Sequence, residues 1–420
     1  MKENKSDQVL PEKSSIKEKL NKKSDFKIYE LILFGFLIIV ASVTLTVVVV
    51  FETKDIGDNN SVTSSSGDEA LGEFEEVYEL INDSYYKDVD KDELINGAIN
   101  GMLSSLEDPH TSYFSESQTE NFNELMNGSY EGIGAEISID ASGNIFIFSV
   151  FKNSPAQEAG LKFNDVILEV NGKSTKGLTT TEVVALIKDE STSKSHIKVE
   201  RDGQTLEFDV DRRVVVIESV ESRTFDKNGK KIGYVVVNTF ANNTYEQFRQ
   251  NVEALEDENI EGLIIDVRDN SGGYLHSVTS MLDMFLPKGT VIYQIADKNK
   301  TYKYTATTDE SRNYPIAVLV NKSSASASEI LAISLKESYG AYVVGTNTYG
   351  KGTVQTTKNL ASGGMIKYTI QKWLSPKGNW IDGTGVTPTN EVELSSEYED
   401  NPTFENDNQF QKALDLVSSK

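Results

Sequence analysis

Hydrophobic positions recur along this chain with different periods, and each period marks a different region. Residues 31–51, LILFGFLIIVASVTLTVVVVF, are apolar throughout and carry no charge over 21 positions. A helix needs ~20 residues to cross hydrocarbon, so the run predicts a single N-terminal transmembrane helix within 28–51. A polar stretch without periodicity follows over 52–68 and reads as a linker. From Glu69 apolar residues return at three- and four-residue steps: Phe74, Val77, Leu80 and Ile81, then Leu94, Ile95, Ala98 and Met102. This predicts a helical unit over 69–128, broken near Asp108-Pro109. Beyond it, short apolar-rich runs between turn signals such as Asn171-Gly172 and Asp202-Gly203 predict strands over 136–139, 144–150, 165–171, 196–201 and 205–210. A helix capped by threonine is expected over 179–188. From Val214 solid apolar runs alternate with helical patterns: strands over 233–238, 263–267, 315–320 and 341–345, helices over 245–257, 275–286 and 326–339. That alternation predicts a layered α/β core with much parallel pairing over 214–395. The chain after Thr353 reads as all-β, and 396–420 as a polar, acidic tail with one short amphipathic helix.

Length and charge narrow the picture. The 420 residues suggest two or three folded units. A net charge of -24 argues against nucleic acid as a partner, because phosphate repels such a surface. The chain has no cysteine, which removes disulfides, thiolate metal sites and a cysteine nucleophile. Its three histidines, His110, His196 and His276, are far apart and outside any H-E-x-x-H run, so no metal and no cofactor is expected. Residues 1–27 carry eight lysines against five acids, and the far flank, FETKDIGD, is acidic. The positive-inside rule then predicts a cytosolic tail at 1–27, a cell-membrane anchor, and the remainder extracellular. A cleaved signal peptide is the competing reading; the run exceeds the ~7–15 residues of a signal core and no A-x-A site follows.

Three stretches carry candidate chemistry. Residues 321–329, NKSSASASE, connect a strand to a helix. A hydroxyl at the first turn of that helix lies near free N–H groups, where an acyl-transfer nucleophile gains most; the same small residues also fit a plain helix cap. Residues 345–355, GTNTYGKGTVQ, nearly match a phosphate-binding loop, but Gly352 stands where Mg²⁺ needs Ser or Thr, and β-branched residues follow instead of a helix. A lysine between two glycines can instead lose its water, and desolvation turns it into a base near neutral pH. Gln355 lies four positions on, on the same face if the chain is extended, and can hold the amine without adding charge. Residues 266–273, DVRDNSGG, supply glycines whose N–H groups can point at a carbonyl. His276 falls within the next helical pattern, which argues against a Ser–His–Asp set. Trp373 and Trp380 read as packing, and Arg268 as a loop-holding partner of an acid.

SASASEI and YGKGTVQ, with DVRDNSGG upstream and WLSPKGNWIDGTGVTP downstream, resemble the carboxyl-terminal processing (tail-specific) peptidases in order and spacing. The resemblance implies a serine endopeptidase with a layered α/β core of the crotonase/Clp-protease type. Its nucleophile would be Ser326, 25 residues before the base Lys351, with Gln355 in support. The oxyanion donors would be the N–H groups of Ala327 and Gly272. Residues 129–213 resemble a PDZ domain, with Gly132-Ile133-Gly134-Ala135 at the carboxylate-binding loop. Ile133, Gly134, Ala135, Val183 and Ile187 would then bind the C-termini of protein or peptide substrates. The family further implies gating by this domain and a homodimer through the helical segment 69–128 and the C-terminal end. The rival function is a catalytically silent PDZ scaffold at the cell surface, which would bind peptides without cutting them. The expected fold class is thus α+β multidomain, with the single transmembrane helix, a helical segment, the PDZ domain and the α/β core.

Overall fold

A computed structural model describes residues 67–419, apart from 190 and 192. It falls into two units, one ending at Ser84 and one beginning at Tyr85. The described part of the first is the helix Gly67–Ser84, GDEALGEFEEVYELINDS. The expected fold class is corrected here. The predicted transmembrane run, 31–51, lies outside the described residues, and among the described residues no helix is long and apolar enough to cross a membrane. The helix Gly67–Ser84 has the length but carries acids along its whole course, which hydrocarbon would not solvate. What the described residues build is multidomain α/β.

The larger unit is organised on a six-stranded sheet in the order Val220–Lys227, Lys230–Val237, Gly262–Asp266, Ile316–Val320, Tyr342–Gly345 and Asn390–Glu391. The first pair is antiparallel and every later pair parallel. The central strands GLIID and IAVLV are buried on both faces, which is why they read as unbroken apolar runs. One face is covered by the helices Thr244–Asp257, Leu275–Asp283 and Ala327–Ser334, through Phe248, Val252, Met281, Leu282 and Leu331. The other is covered by Asn408–Ser418, which buries Phe410, Ala413, Leu414 and Val417 against Ile232, Ile264 and Leu319. The acidic end of the chain therefore closes a core face.

A second sheet is antiparallel. Its long strand Met365–Leu374 pairs with Thr353–Asn359, with Val291–Ala296 and with Ser112–Phe114. The segment expected to be helical thus lends a three-residue strand to the core sheet. Tyr113 and Phe114 favour that pleated edge once Pro109 has ended the helical pattern.

The PDZ-like unit is a sheet in the order Ala135–Ile139, Ile145–Val150, Val166–Val170, Lys194–Arg201 and Gln204–Asp211. Its helix Thr180–Ile187 is capped by Thr179, whose hydroxyl accepts the Glu182 N–H while the Glu182 carboxylate accepts the Thr179 N–H. Entry and exit of the unit are tied as a ribbon, Ser129–Gly132 against Arg213–Val216. Just before the ribbon, Gly128 adopts φ 69°, and its carbonyl accepts from Asn243 Nδ2 at 2.7 Å. A Cβ at Gly128 would lie 2.0 Å from Asn243 Oδ1, so only glycine lets the hinge seat on this loop.

Phe410 packs edge-on against Tyr234 and Phe404 and tilted against Phe225, and is fully buried. Phe410→Ala is expected to destabilise the larger unit by about 3–5 kcal/mol. Urea unfolding checks this, and an unchanged midpoint would mean the C-terminal helix does not cover the sheet.

Candidate active site

The strand Ile316–Val320 ends in a corner that separates the serines by role. Ser324 and Ser328 are fully buried, and their hydroxyls donate to the carbonyls of Val267 and Asn270, each at 2.7 Å. Ser326 is half-buried and opens the helix Ala327–Ser334 at φ 55°, ψ -111°. For a residue with a side chain that conformation costs about 1–3 kcal/mol and persists only where its surroundings enforce it.

Glu329 does the enforcing. Its carboxylate accepts the Ser326 N–H at 2.8 Å and the Lys351 N–H at 2.9 Å. It also accepts the Gly350 N–H at 2.7 Å and the Thr348 hydroxyl at 2.6 Å. Thr348 Oγ1 itself accepts the Val386 N–H at 2.6 Å, so its proton is free to point at the carboxylate. Burial holds the Glu329 carboxyl above its ordinary value, although these donors pull the other way. Four converging donors suit a charged carboxylate. The sequence signal was present, since Ser326 and Glu329 have capping-box spacing, but that pattern predicts only a local contact.

The loop carrying Lys351 is held from every side. Trp373 Nε1 donates to the Lys351 carbonyl at 2.8 Å, Trp380 Nε1 to the Gly352 carbonyl at 2.9 Å, and the Gly352 N–H to Asp382 Oδ1 at 2.9 Å. Trp373 is buried, as expected of a packing residue, while Trp380 is exposed and holds the loop through its hydrogen bond. A Cβ at Gly350 would lie 2.9 Å from the Gly385 nitrogen, and one at Gly352 2.6 Å from Trp380 Nε1. The flanking glycines therefore serve close packing of the loop. Lys351 itself is lowered to about 8, first by burial and then by the charge of Lys367; Asp108 and Glu329 act in the opposite sense. Among the described residues its Nζ forms no hydrogen bond and no ion pair.

Gln355 makes no hydrogen bond to the amine among the described residues. Its Nε2 donates to Thr353 Oγ1 at 2.9 Å and to Thr369 Oγ1 at 3.1 Å. The strand Thr353–Asn359 begins after Lys351, and a bulge between Val354 and Gln355 breaks the two-residue alternation. An even spacing then no longer guarantees a common face.

The glycine pair does reach the serine corner. A Cβ at Gly272 would lie 2.9 Å from Ser326 Cβ and 3.1 Å from the Ala327 nitrogen. The Gly272 N–H, however, donates to Asn270 Oδ1 at 2.8 Å. Among the described residues the N–H groups of Ala327 and Gly273 have no acceptor. The pair and Ala327 thus converge, with Gly273 holding the unengaged N–H. Arg268 pins this loop, pairing with Asp266 at 2.6 Å and Asp407 at 2.8 Å. Burial works against its charge, but those two carboxylates hold it well above its ordinary value. His276 stacks near Tyr274 on the helix Leu275–Asp283, as its pattern predicted.

In the PDZ-like unit, Ile133 and Gly134 form a tight loop whose carbonyls accept the Ala156 and Phe151 N–H groups. Ala135 opens the strand Ala135–Ile139, which pairs on one side only and leaves an edge. Val183 and Ile187, expected on a groove wall, are buried and pack with the unit's core. Helical spacing placed them on one face, but that face is the inward one.

Comparison with known proteins follows this geometry. Residues 231–392 match the model of peptidase family S41, 124–200 that of the PDZ domain, and 37–118 that of the activating protease CtpB N-terminal domain. The carboxy-terminal processing protease CtpB of Bacillus subtilis (strain 168) is 42% identical over 328 residues, covering 77% of this chain and 68% of its own. CtpA of the same organism, also a carboxy-terminal processing protease, is 35% identical over 361 residues, covering 86% and 77%. The solved photosystem II D1 C-terminal processing protease aligns over 80% of this chain and 96% of its own, at 26% identity and a TM-score of 0.46.

Glu329→Gln puts an amide NH₂ among N–H donors. It is expected to destabilise the protein by about 1–3 kcal/mol. Loosening Ser326 from the Lys351 loop should also slow Ser326 acylation by an activated ester roughly 10²-fold. Thermal melts and intact-protein mass spectrometry read the two effects. A variant with parental melting and acylation would show that the bridge is dispensable.

Proposed function

The chain belongs to the carboxy-terminal processing peptidases of family S41, and on that premise we propose that Ser326 is its nucleophile and Lys351 its general base. It is a serine peptidase acting on peptide bonds. The observation that carries the dyad is the Glu329 bridge, which fixes the backbone of both residues to one carboxylate while burial brings the Lys351 amine down to about 8. In this reading neutral Lys351 takes the Ser326 proton as Oγ attacks the peptide carbonyl. The oxyanion forms against the Ala327 N–H and the glycine pair 272–273. Lys351 then returns its proton to the leaving amine, and water hydrolyses the acyl-enzyme.

The free Lys351 Nζ and the threonine-bound Gln355 amide support a resting arrangement, in which Gln355 must turn to hold the base. The PDZ-like unit would trigger that change by binding substrate C-termini along its edge strand. A backbone route supports this: its hinge Gly128 is held by Asn243, and nearby Phe240 donates its N–H to the Gly272 carbonyl at 3.1 Å. A location outside the cytoplasm is part of the reading and rests on the charge of residues 1–27 and of the flank after 51 alone. A homodimer through 69–128 draws support from the exposed Leu71, Phe74 and Leu80 on one helix and the exposed Met102 and Leu106 further on.

Lys351→Ala and Ser326→Ala should each abolish cleavage of an unfolded test protein while circular dichroism stays parental. Turnover retained by Lys351→Ala would sink the mechanism. Sedimentation of the protein should give a dimer mass, and a monomer at micromolar concentration would remove the interface from the account.

A further inference from the structure

We infer that the segment 108–114 completes the base side of the active site, with Asp108 and Lys367 as an opposed pair of positioning residues that set the protonation of Lys351. The inference rests on Lys351 being the base. The strand Met365–Leu374 lies between two neighbours. On one side Ser112 pairs with Lys367; on the other Thr357 pairs with Lys367 and Gln355 with Thr369. The N-terminal segment and the strand carrying Gln355 therefore meet across the same residues.

Asp108 is tied to this strand from outside it. Its carboxylate accepts the Thr111 hydroxyl at 2.6 Å and the His110 N–H at 3.0 Å. Thr111 Oγ1 in turn accepts the Thr369 N–H at 3.3 Å. The Thr369 hydroxyl, which takes the Gln355 amide, also holds the Asp108 carboxyl down. Lys367 is tied to the same segment from the other direction. Its ammonium sits 5.3 Å from the Phe114 ring and 5.9 Å from the Phe122 ring. Like Lys351, it has no ion-pair partner among the described residues, and burial pushes it down.

The charged groups acting on Lys351 are Lys367, Asp108 and Glu329, with His110 coupled to it and Asp382 beside its loop on the Gly352 N–H. Glu329 and Asp382 accept backbone N–H groups of the serine corner and the Lys351 loop, so both are held as part of the scaffold. His110 lies 6.4 Å from the Tyr349 ring; burial holds it below its ordinary value, so it stands neutral when the base does. That leaves one cation and one anion of opposite effect. Lys367 disfavours a second ammonium at 351, and Asp108 favours it. The segment 108–114 carries Asp108 and lays Phe114 against Lys367, so its docking sets the balance of the two charges at Lys351.

The test is the acid limb of kcat/KM against pH in the full chain. Asp108→Asn keeps an acceptor for Thr111 but removes the anion, so the limb should move to lower pH. Lys367→Met keeps the stem and removes the cation, so the limb should move to higher pH, each by roughly 0.5–1 unit. Lys367→Arg keeps the charge and should restore the parental midpoint. A purely structural role would lower the plateau in the first two variants and leave both midpoints in place. Midpoints that stay put, or that move in the same direction, overturn the inference while Lys351→Ala remains inactive. Turnover in Lys351→Ala would instead remove the base assignment on which it stands.

Discussion

One buried carboxylate holds the catalytic region together. Glu329 takes N–H groups from the residue at the serine corner and from two residues of the glycine-flanked loop, 3, 21 and 22 positions away in sequence. Each donor alone is an ordinary hydrogen bond. Together they make the helix start at 327 and the loop at 350–352 a single rigid object. Ser326 can stay in a backbone conformation it would otherwise leave, because its N–H is committed to that carboxylate. The close approaches of Gly350 and Gly352 and the two tryptophan hydrogen bonds then fix the loop from behind.

The parallel sheet explains why these parts converge. The strands Gly262–Asp266 and Ile316–Val320 are neighbours, and their carboxyl ends deliver the glycine pair and Ser326 to one side of the sheet. That is where open α/β sheets place their chemistry. The same side is stiffened by Arg268, whose two carboxylate partners come from the strand end and from the C-terminal helix cap. Breaking a buried pair of this kind would leave an uncompensated charge, so the last helix supports the active loop as well as covering the sheet.

Much of this was legible in the residues. The unbroken apolar runs mark the central strands because both faces are buried. Ser326 and Lys351, the residues the motifs single out, lie on loops that one carboxylate joins. What was not legible has physical causes. Glu329 has the spacing of a local cap, and no local rule announces partners 19–22 residues downstream. Gln355 was carried to the face of Lys351 by a period that a bulge interrupts. Ser112–Phe114 is too short to alternate visibly, and its place depends on pairing with a strand 250 residues later. Val183 and Ile187 share a helix face, but periodicity cannot say whether that face lines a groove or fills a core. The run 31–51 lies outside the described residues.

The account comes down to a lysine kept short of water next to a serine held by the same carboxylate. The most direct test is the single-turnover rate of Ser326 acylation followed against pH. The account predicts a rate that rises with pH to a plateau, with its midpoint near the value of about 8 to which burial brings Lys351. A rate independent of pH across the neutral and mildly alkaline range would contradict it.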